Sequence, residues 1–353
     1  MLKSLVRLAR FSWLKPQFVA VVIIAALLGY VVAKSLAASP SVAFEPETGI
    51  VSAGAIVQTV SAASGTGVVK FAASPTPAAT PTPTGSPTDR TCPTYPAAPN
   101  DACTGVPAST ATTTVTGDLT TTTAGQIIDA KSIKGDLIVN HANVMVKNTR
   151  VYGRIVNNAS SGLTITDSDI GPDACPTSSS FYNNLNGSGY TLIRSRVHHA
   201  GADLIGIGGN GTILIRDSLI NKACFYPGDH LDAAQFYAPG DVGMVTIEHS
   251  LLDSRPTNTT GYGNAAIFWA DNPGPGSRLT VTQSFLAGGN YTASLYDAGA
   301  SSGVILDIHN STFAKNSYQY GACASSNSVA YNGTAGLIFT GNKYDDGSAV
   351  TGC

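Results

Sequence analysis

"YTLIRSRV" at 190–197 and "ILIRDSLI" at 213–220 are one eight-residue pattern written twice. It recurs as VMVKNTRV (144–151), LTITDSDI (163–170), VTIEHSLL (245–252), LTVTQSFL (279–286), LDIHNSTF (306–313) and LIFTGNKY (337–344). The first, third and eighth positions are apolar or aromatic in every unit, and the sixth reads Thr149, Ser168, Ser195, Ser218, Ser250, Ser284, Ser311 and Asn342. Alternation over the first three positions is strand periodicity. A small hydrogen-bonding residue at one fixed offset marks a turn. If each unit belongs to one coil, equivalent residues stack roughly 4.8 Å apart. The apolar positions then become continuous inner columns, and the Ser column can bond along the stack. This pattern predicts an all-β fold, a right-handed parallel β-helix in which each coil buries its inner face against its neighbours. It is expected from about Gly125 to the C-terminus. Irregular spacing between units places insertions in loops on the outside. A β-sandwich would not keep Ser at one offset throughout.

The rest of the chain prepares for that solenoid. Of 353 residues, 43% are hydrophobic and only 12% charged, with a net charge of −2. A globular domain usually carries about 25% charged residues; here Gly, Ser, Thr and Asn fill the difference. A near-neutral chain excludes a nucleic-acid binder, which needs a basic face, but not a partner such as a polysaccharide. Residues 1–37 carry Lys3, Arg7, Arg10 and Lys15 ahead of the apolar run at 18–33. Basic residues before such a run leave the N-terminus inside and the rest outside. The segment reads as a signal peptide or a membrane anchor, and the chain as exported, to the extracellular space or cell surface. Residues 38–73 read as a short β-rich spacer. Its stretch 44–73 resembles the opening strands of some sugar-binding β-sandwich modules, over too few residues to form one. The Pro/Thr-rich run 74–90 is an extended linker. Residues 91–353 then form the folding domain, expected as a monomer.

The six cysteines form no CxxC motif, and an even count in an exported chain reads as disulfides. Nearest-neighbour pairing gives Cys92–Cys103, Cys175–Cys224 and Cys323–Cys353. The last would fasten the final coil, and the second would tie two loops over a groove entrance.

The chain resembles the right-handed parallel β-helix superfamily that includes pectate lyases, polygalacturonases and alginate-acting enzymes. More narrowly, GDHLDAAQF at 228–236 is similar to the H-x-D-G-[IV]-Q run of certain secreted bacterial β-helix proteins. Ala233 and Ala234 stand here for the usual Gly and β-branched residue. The resemblance implies an extracellular polysaccharide-active protein, a lyase or a glycoside hydrolase; the alternative is a non-catalytic carbohydrate-binding surface protein or adhesin.

The same run supplies the site residues. Aligning DLIGIG (203–208), DAAQFY (232–237), NAAIFW (264–269) and YTASLY (291–296) as stacked strands points Gln235, Tyr237, Trp269 and Tyr296 outward. Three outward aromatics in a row suit the faces of consecutive sugars, with Asp203 at the same edge. His230 and Asp232 enter the strand at a turn that has no structural need of an imidazole. With Lys222, His199 and Asp271 nearby, they form an expected acid/base set. A plain ladder of Asp203, Asp232 and Asn264 bonding turn amides is the competing reading of those three. Neither the paired acids of the polygalacturonases nor the Arg-rich signature of the lyases is present. The metal requirement is open, with Ca²⁺ as the ion a lyase reading would call for.

Overall fold

The coil sequence HSLL at 249–252 shows how one turn of the solenoid is made. His249 takes a positive φ of 41°, and the chain reverses into the strand Leu251–Asp253. Ser250 then bonds twice: its backbone N–H donates to Ser284 Oγ at 3.2 Å, and its own Oγ donates to the Glu248 carbonyl at 3.0 Å. The same pair of bonds repeats along the column, from Thr149 N–H on Ser168 Oγ to Ser311 N–H on Asn342 Oδ1. The residue before each column member is left-handed, at Asn148, Asp167, Arg194, Asp217, His249, Gln283, Asn310 and Gly341. One left-handed residue costs roughly 1–2 kcal/mol, which the stacked hydroxyls offset by closing each turn. The expected Ser column is a hydrogen-bonded ladder.

The computed structural model describes residues 55–58, 68–71, 90–159, 161–179, 182–236, 242–269, 276–295, 304–325, 336–351 and 353. The apolar run at 18–33 and the expected site residues Tyr237, Asp271 and Tyr296 lie outside them. The chain divides into two units, 1–84 and 85–353. In the first, Ala55–Gln58 pairs antiparallel with Val68–Phe71.

The second unit is an all-β parallel β-helix. Each coil contributes one strand to each of three sheets: Arg196–His198, Ile205–Ile207 and Ile213–Arg216 make up one coil. Among the described residues the first sheet has ten strands, and the second and third have nine each. Within each sheet the stacked strands pair in parallel. Their inward side chains form continuous columns, such as Ile155, Leu185, Ile205, Ala234, Ile267 and Ala293 in the second sheet, all buried. The coils start earlier than Gly125, because Thr113–Val115 already pairs with Lys131–Ile133. The sequence hides that coil: its left-handed residue is Ala130, followed by Lys131 where later coils carry the hydroxyl.

All three expected disulfides are formed: Cys92–Cys103, Cys175–Cys224 and Cys323–Cys353. The first closes a strap, residues 90–106, that lies along the outer side of the first sheet. Arg90 reaches Asp167 at 3.1 Å and Gly105 N–H donates to the Arg194 carbonyl at 2.8 Å. Farther along the stack, the Tyr95 hydroxyl meets Thr312 Oγ1 at 3.0 Å. Leu219 points outward in this sheet yet is 3% exposed, as expected of an apolar residue under the strap.

Candidate functional site

The turns from the first to the second sheet differ from the Ser turns: they are unequal in length and irregular. They comprise residues 222–231, 254–264, 288–290 and 314–320. What aligns them is a ladder of short polar side chains at the mouth of the second sheet. Asp232 N–H donates to Asp203 Oδ1 at 2.9 Å, Asn264 Nδ2 to Asp232 Oδ1 at 2.9 Å, and Asn290 Nδ2 to Asn264 Oδ1 at 3.4 Å. The ladder holds the loop ends in step, and the loops between fold outward around a cleft.

That cleft has a volume of about 400 Å³. Asn264, Asn290 and Gln319 line it with amides, Phe225 and Tyr262 with rings, and Asp229 and His230 complete one wall. Gly263 brings Tyr262 and Asn264 together. It has a φ of 74°, and a Cβ there would stand 2.3 Å from the Ser254 carbonyl oxygen, so only glycine fits. Next in the chain to lining residues are Tyr291 and Tyr320, whose ring centroids are 5.6 Å apart; Tyr320 is 64% exposed. The wall with Asp229 is fastened from the coil below. Cys175 joins Cys224, Ser179 Oγ donates to Asp229 Oδ1 at 3.0 Å, and the Tyr226 hydroxyl bonds the Pro176 carbonyl. The bridge ties the Cys175 loop to the 222–231 loop, and of these two only the latter lines the cleft.

His230 is exposed on the cleft, but Asp232 is not its partner. The Asp232 side chain turns inward and is 0% exposed. One oxygen accepts from Asn264, and the other has no hydrogen-bond partner. Burial, then the neighbouring Asp203, push the Asp232 carboxyl well above the usual range. Burial likewise pushes Asp203 up to about 7. Both are members of the polar ladder, and the expected His230–Asp232 pair is not formed.

The expected outward placing of Trp269 in the aromatic row is corrected as well. Trp269 is 0% exposed, with its ring 4.9 Å from that of Phe236 in the core. Phe236 pairs with Trp269, and Gln235 with Phe268, so NAAIFW sits one residue out of the expected register. A one-residue slip moves every side chain of a strand to the opposite face: Trp269 goes in and Phe268 comes out. The cause is Asn264, which joins the ladder from the residue before the strand, so that Asp232 pairs with Ala265. Gln235 does face outward, half-buried.

Lys222 and His199 are brought together, but in a different hollow. About 290 Å³ in volume, it lies on the first sheet, with Arg150, Asp169, Asp173, Arg196, His198 and Asn221. His198 Nε2 accepts from Arg150 Nη1 at 2.7 Å. Burial, then Arg150, push its pKa down to about 3. Burial also lowers His199. The expected acid/base set is thus divided between two faces. Among the described residues no group of three His, Cys, Asp or Glu is placed to hold a metal ion.

Sequence reasoning missed Asp229, Tyr262, Asn290, Tyr291, Gln319 and Tyr320. Apart from Asp229, their signal is an aromatic or amide at or just ahead of the start of each second-sheet strand, in GYGN, GGNY and SYQYG. Comparison with family models, curated proteins and solved structures finds no match for this chain.

Proposed function

We propose that this is an extracellular polysaccharide-active β-helix protein of pectate-lyase-like type, holding its polymer in the cleft of Tyr262, Asn264 and Asn290. The observation that carries the reading is the lining itself: aromatic rings and side-chain amides converge on one open concavity. Rings cover the apolar faces of sugars, and amides donate to and accept from hydroxyls. The three disulfides are compatible with an extracellular protein. The basic lead and the apolar run at 18–33 support export, by a cleaved signal or a membrane anchor.

Turnover in this reading falls to Asp229 and His230, the titratable groups on the cleft wall, in place of Asp232. A second reading, a carbohydrate-binding surface protein or adhesin, is favoured by one observation. The carboxyls tuned toward neutrality, Asp203 and Asp232, are buried. The full-length protein, incubated with a panel of polysaccharides and assayed for reducing ends and for unsaturated products, tests both. Product that disappears in His230→Ala supports an enzyme. Retention of a polymer without product, lost in Tyr262→Ala, supports the binder. No product and no retention across the panel refutes the carbohydrate reading.

A further inference from the structure

Among the described residues, no lysine and no arginine lines the cleft. The acid among its described lining residues is Asp229, whose carboxylate has Ser179 on one oxygen and no partner on the other. The sheet below extends this character along the molecule. Thr120, Ile138, Val156, Asn186, Gly206, Gln235, Phe268, Ser294 and Ala324 form its outward row, and not one is ionisable. The negative field of Asp229 is felt locally: after burial, it is a further cause of the raised Asp203 and Tyr226.

From this we infer that the cleft takes a neutral glycan and rejects polymers of uronic acids. The inference rests on the reading of the cleft as a polysaccharide site and narrows it. A uronate brings one carboxylate per sugar. Leaving water without a cation to meet it is costly, and a carboxylate already on the wall adds like-charge repulsion. β-Elimination at a uronate is disfavoured for the same reason. It removes the C5 proton beside the carboxylate and expels the C4 oxygen as the C4–C5 double bond forms, so that carboxylate needs a cation facing it. Neutral sugars ask only for rings, amide donors and acceptors, which are the groups present. The cationic hollow of Arg150, Arg196 and Lys222 is on the first sheet and does not line this cleft.

Affinity electrophoresis of the full-length protein tests this. Polygalacturonate and alginate are set against galactan, xylan and mixed-linkage β-glucan, each at low and at moderate ionic strength. The expected result is retardation by a neutral polymer, changed less than about twofold by salt because no charge pair is screened, and abolished in Tyr262→Ala. Asp229→Asn should raise the ratio of uronate to neutral retention by about threefold or more, since one like charge is removed. Circular dichroism of each variant shows whether it has kept the β fold. Uronate retention lost in Tyr262→Ala overturns the inference while leaving the polysaccharide reading intact. Uronate retention lost in Lys222→Gln but not in Tyr262→Ala places the acid polymer on the first sheet; with a neutral polymer in the cleft it supports the inference. If no polymer is retained, the polysaccharide reading fails and the inference fails with it.

Discussion

The outer faces of the first and second sheets are built on the same coils, over the same kind of buried column, and have opposite chemistry. The first sheet's outward row runs Arg150, Asp169, Arg196, Leu219, Leu251, Phe285, Thr312 and Lys343. Its charged part is internally paired: Arg196 bonds Asp169 through two nitrogens and Asp101 through a third, at 2.9 Å. The strap bonds it at Arg196 and Asp169, through Asp101 and the Val106 N–H. The second sheet's row has no charge, and its loops open into a cleft. The β-helix fixes only what points inward; each outer face is free to be a structural seam or a binding surface. Here an ion-paired face bonded to a strap and an uncharged face beside a cleft are separated by one turn of the coil.

The largest expected effect is on the seam. Arg196→Ala leaves Asp169, which is 4% exposed, with Arg150 3.8 Å away as its remaining ion-pair partner, and detaches Asp101 of the strap. Removing one member of a buried pair costs about 3–5 kcal/mol, and Arg150 holds the expectation near the lower end. Urea unfolding should show this loss as a lower midpoint. An unchanged midpoint would mean that the seam contributes nothing and that the contrast between the faces is one of composition only.

Acid and base should pull the two regions apart. Burial raises Asp169, but its bonds to Arg196 outweigh that and leave it below the usual carboxylate range. A carboxyl lowered on folding gives stability above its unfolded pKa, lost as pH falls through the folded value. Asp203 is the reverse: raised from 3.8 to about 7 by burial, it favours the fold at acid pH and loses that contribution as pH rises through about 7. Its full effect is at most about 4 kcal/mol, at roughly 1.4 kcal/mol per unit. Melting temperature should therefore fall on both sides of a maximum in mildly acid solution. In Asp203→Asn/Asp232→Asn the loss on the alkaline side should disappear while the acid side persists. A double variant that still loses stability between pH 5 and 8 would show that the ladder acids are not its source.

How far these differences could be read beforehand depended on repetition. The Ser column was legible because one hydroxyl closes one turn at the same offset in every coil, and Ser250 has its counterpart above and below. The register of 264–269 was not. Ile267, Phe268 and Trp269 are consecutive and apolar, so alternation fits either face, and only the side-chain bond of Asn264 to Asp232 decides it. The cleft was legible at His230 and invisible at Tyr262 and Gln319, because loops of unequal length carry no period. Asp232 looked chemical because it stands beside His230 in sequence. In space a strand's alternation sends it inward. A smaller prediction tests the legible part: Ser250→Ala leaves the Ser218 N–H buried without an acceptor, which should cost about 1–3 kcal/mol in thermal or urea unfolding. It should leave retention on a neutral glycan as in wild type, since the Ser turn joins the third sheet to the first.

The smallest expected effect on stability is the one that defines the open face. Gln235 stands in the second sheet's outward row one coil beyond Arg196, in the coil that places Leu219 in the first sheet's row. Its strand is held by the buried Ala234 and Phe236 on either side, so Gln235→Ala removes nothing the fold depends on and should shift stability by no more than about 0.5 kcal/mol. Function is another matter if a glycan chain continues from the cleft along this row. One lost hydrogen bond, worth about 0.5–1.5 kcal/mol, weakens retention by roughly 2- to 13-fold. The effect should grow with chain length, because a short oligosaccharide held by Tyr262 and Asn264 would not reach Gln235. Comparing dissociation constants for short and long oligomers on wild type and Gln235→Ala separates these cases. A loss confined to long oligomers extends the binding surface down the uncharged row. An equal loss for all lengths places Gln235 in the cleft itself. No loss at any length confines binding to the loops and leaves the second sheet's face as bare scaffold.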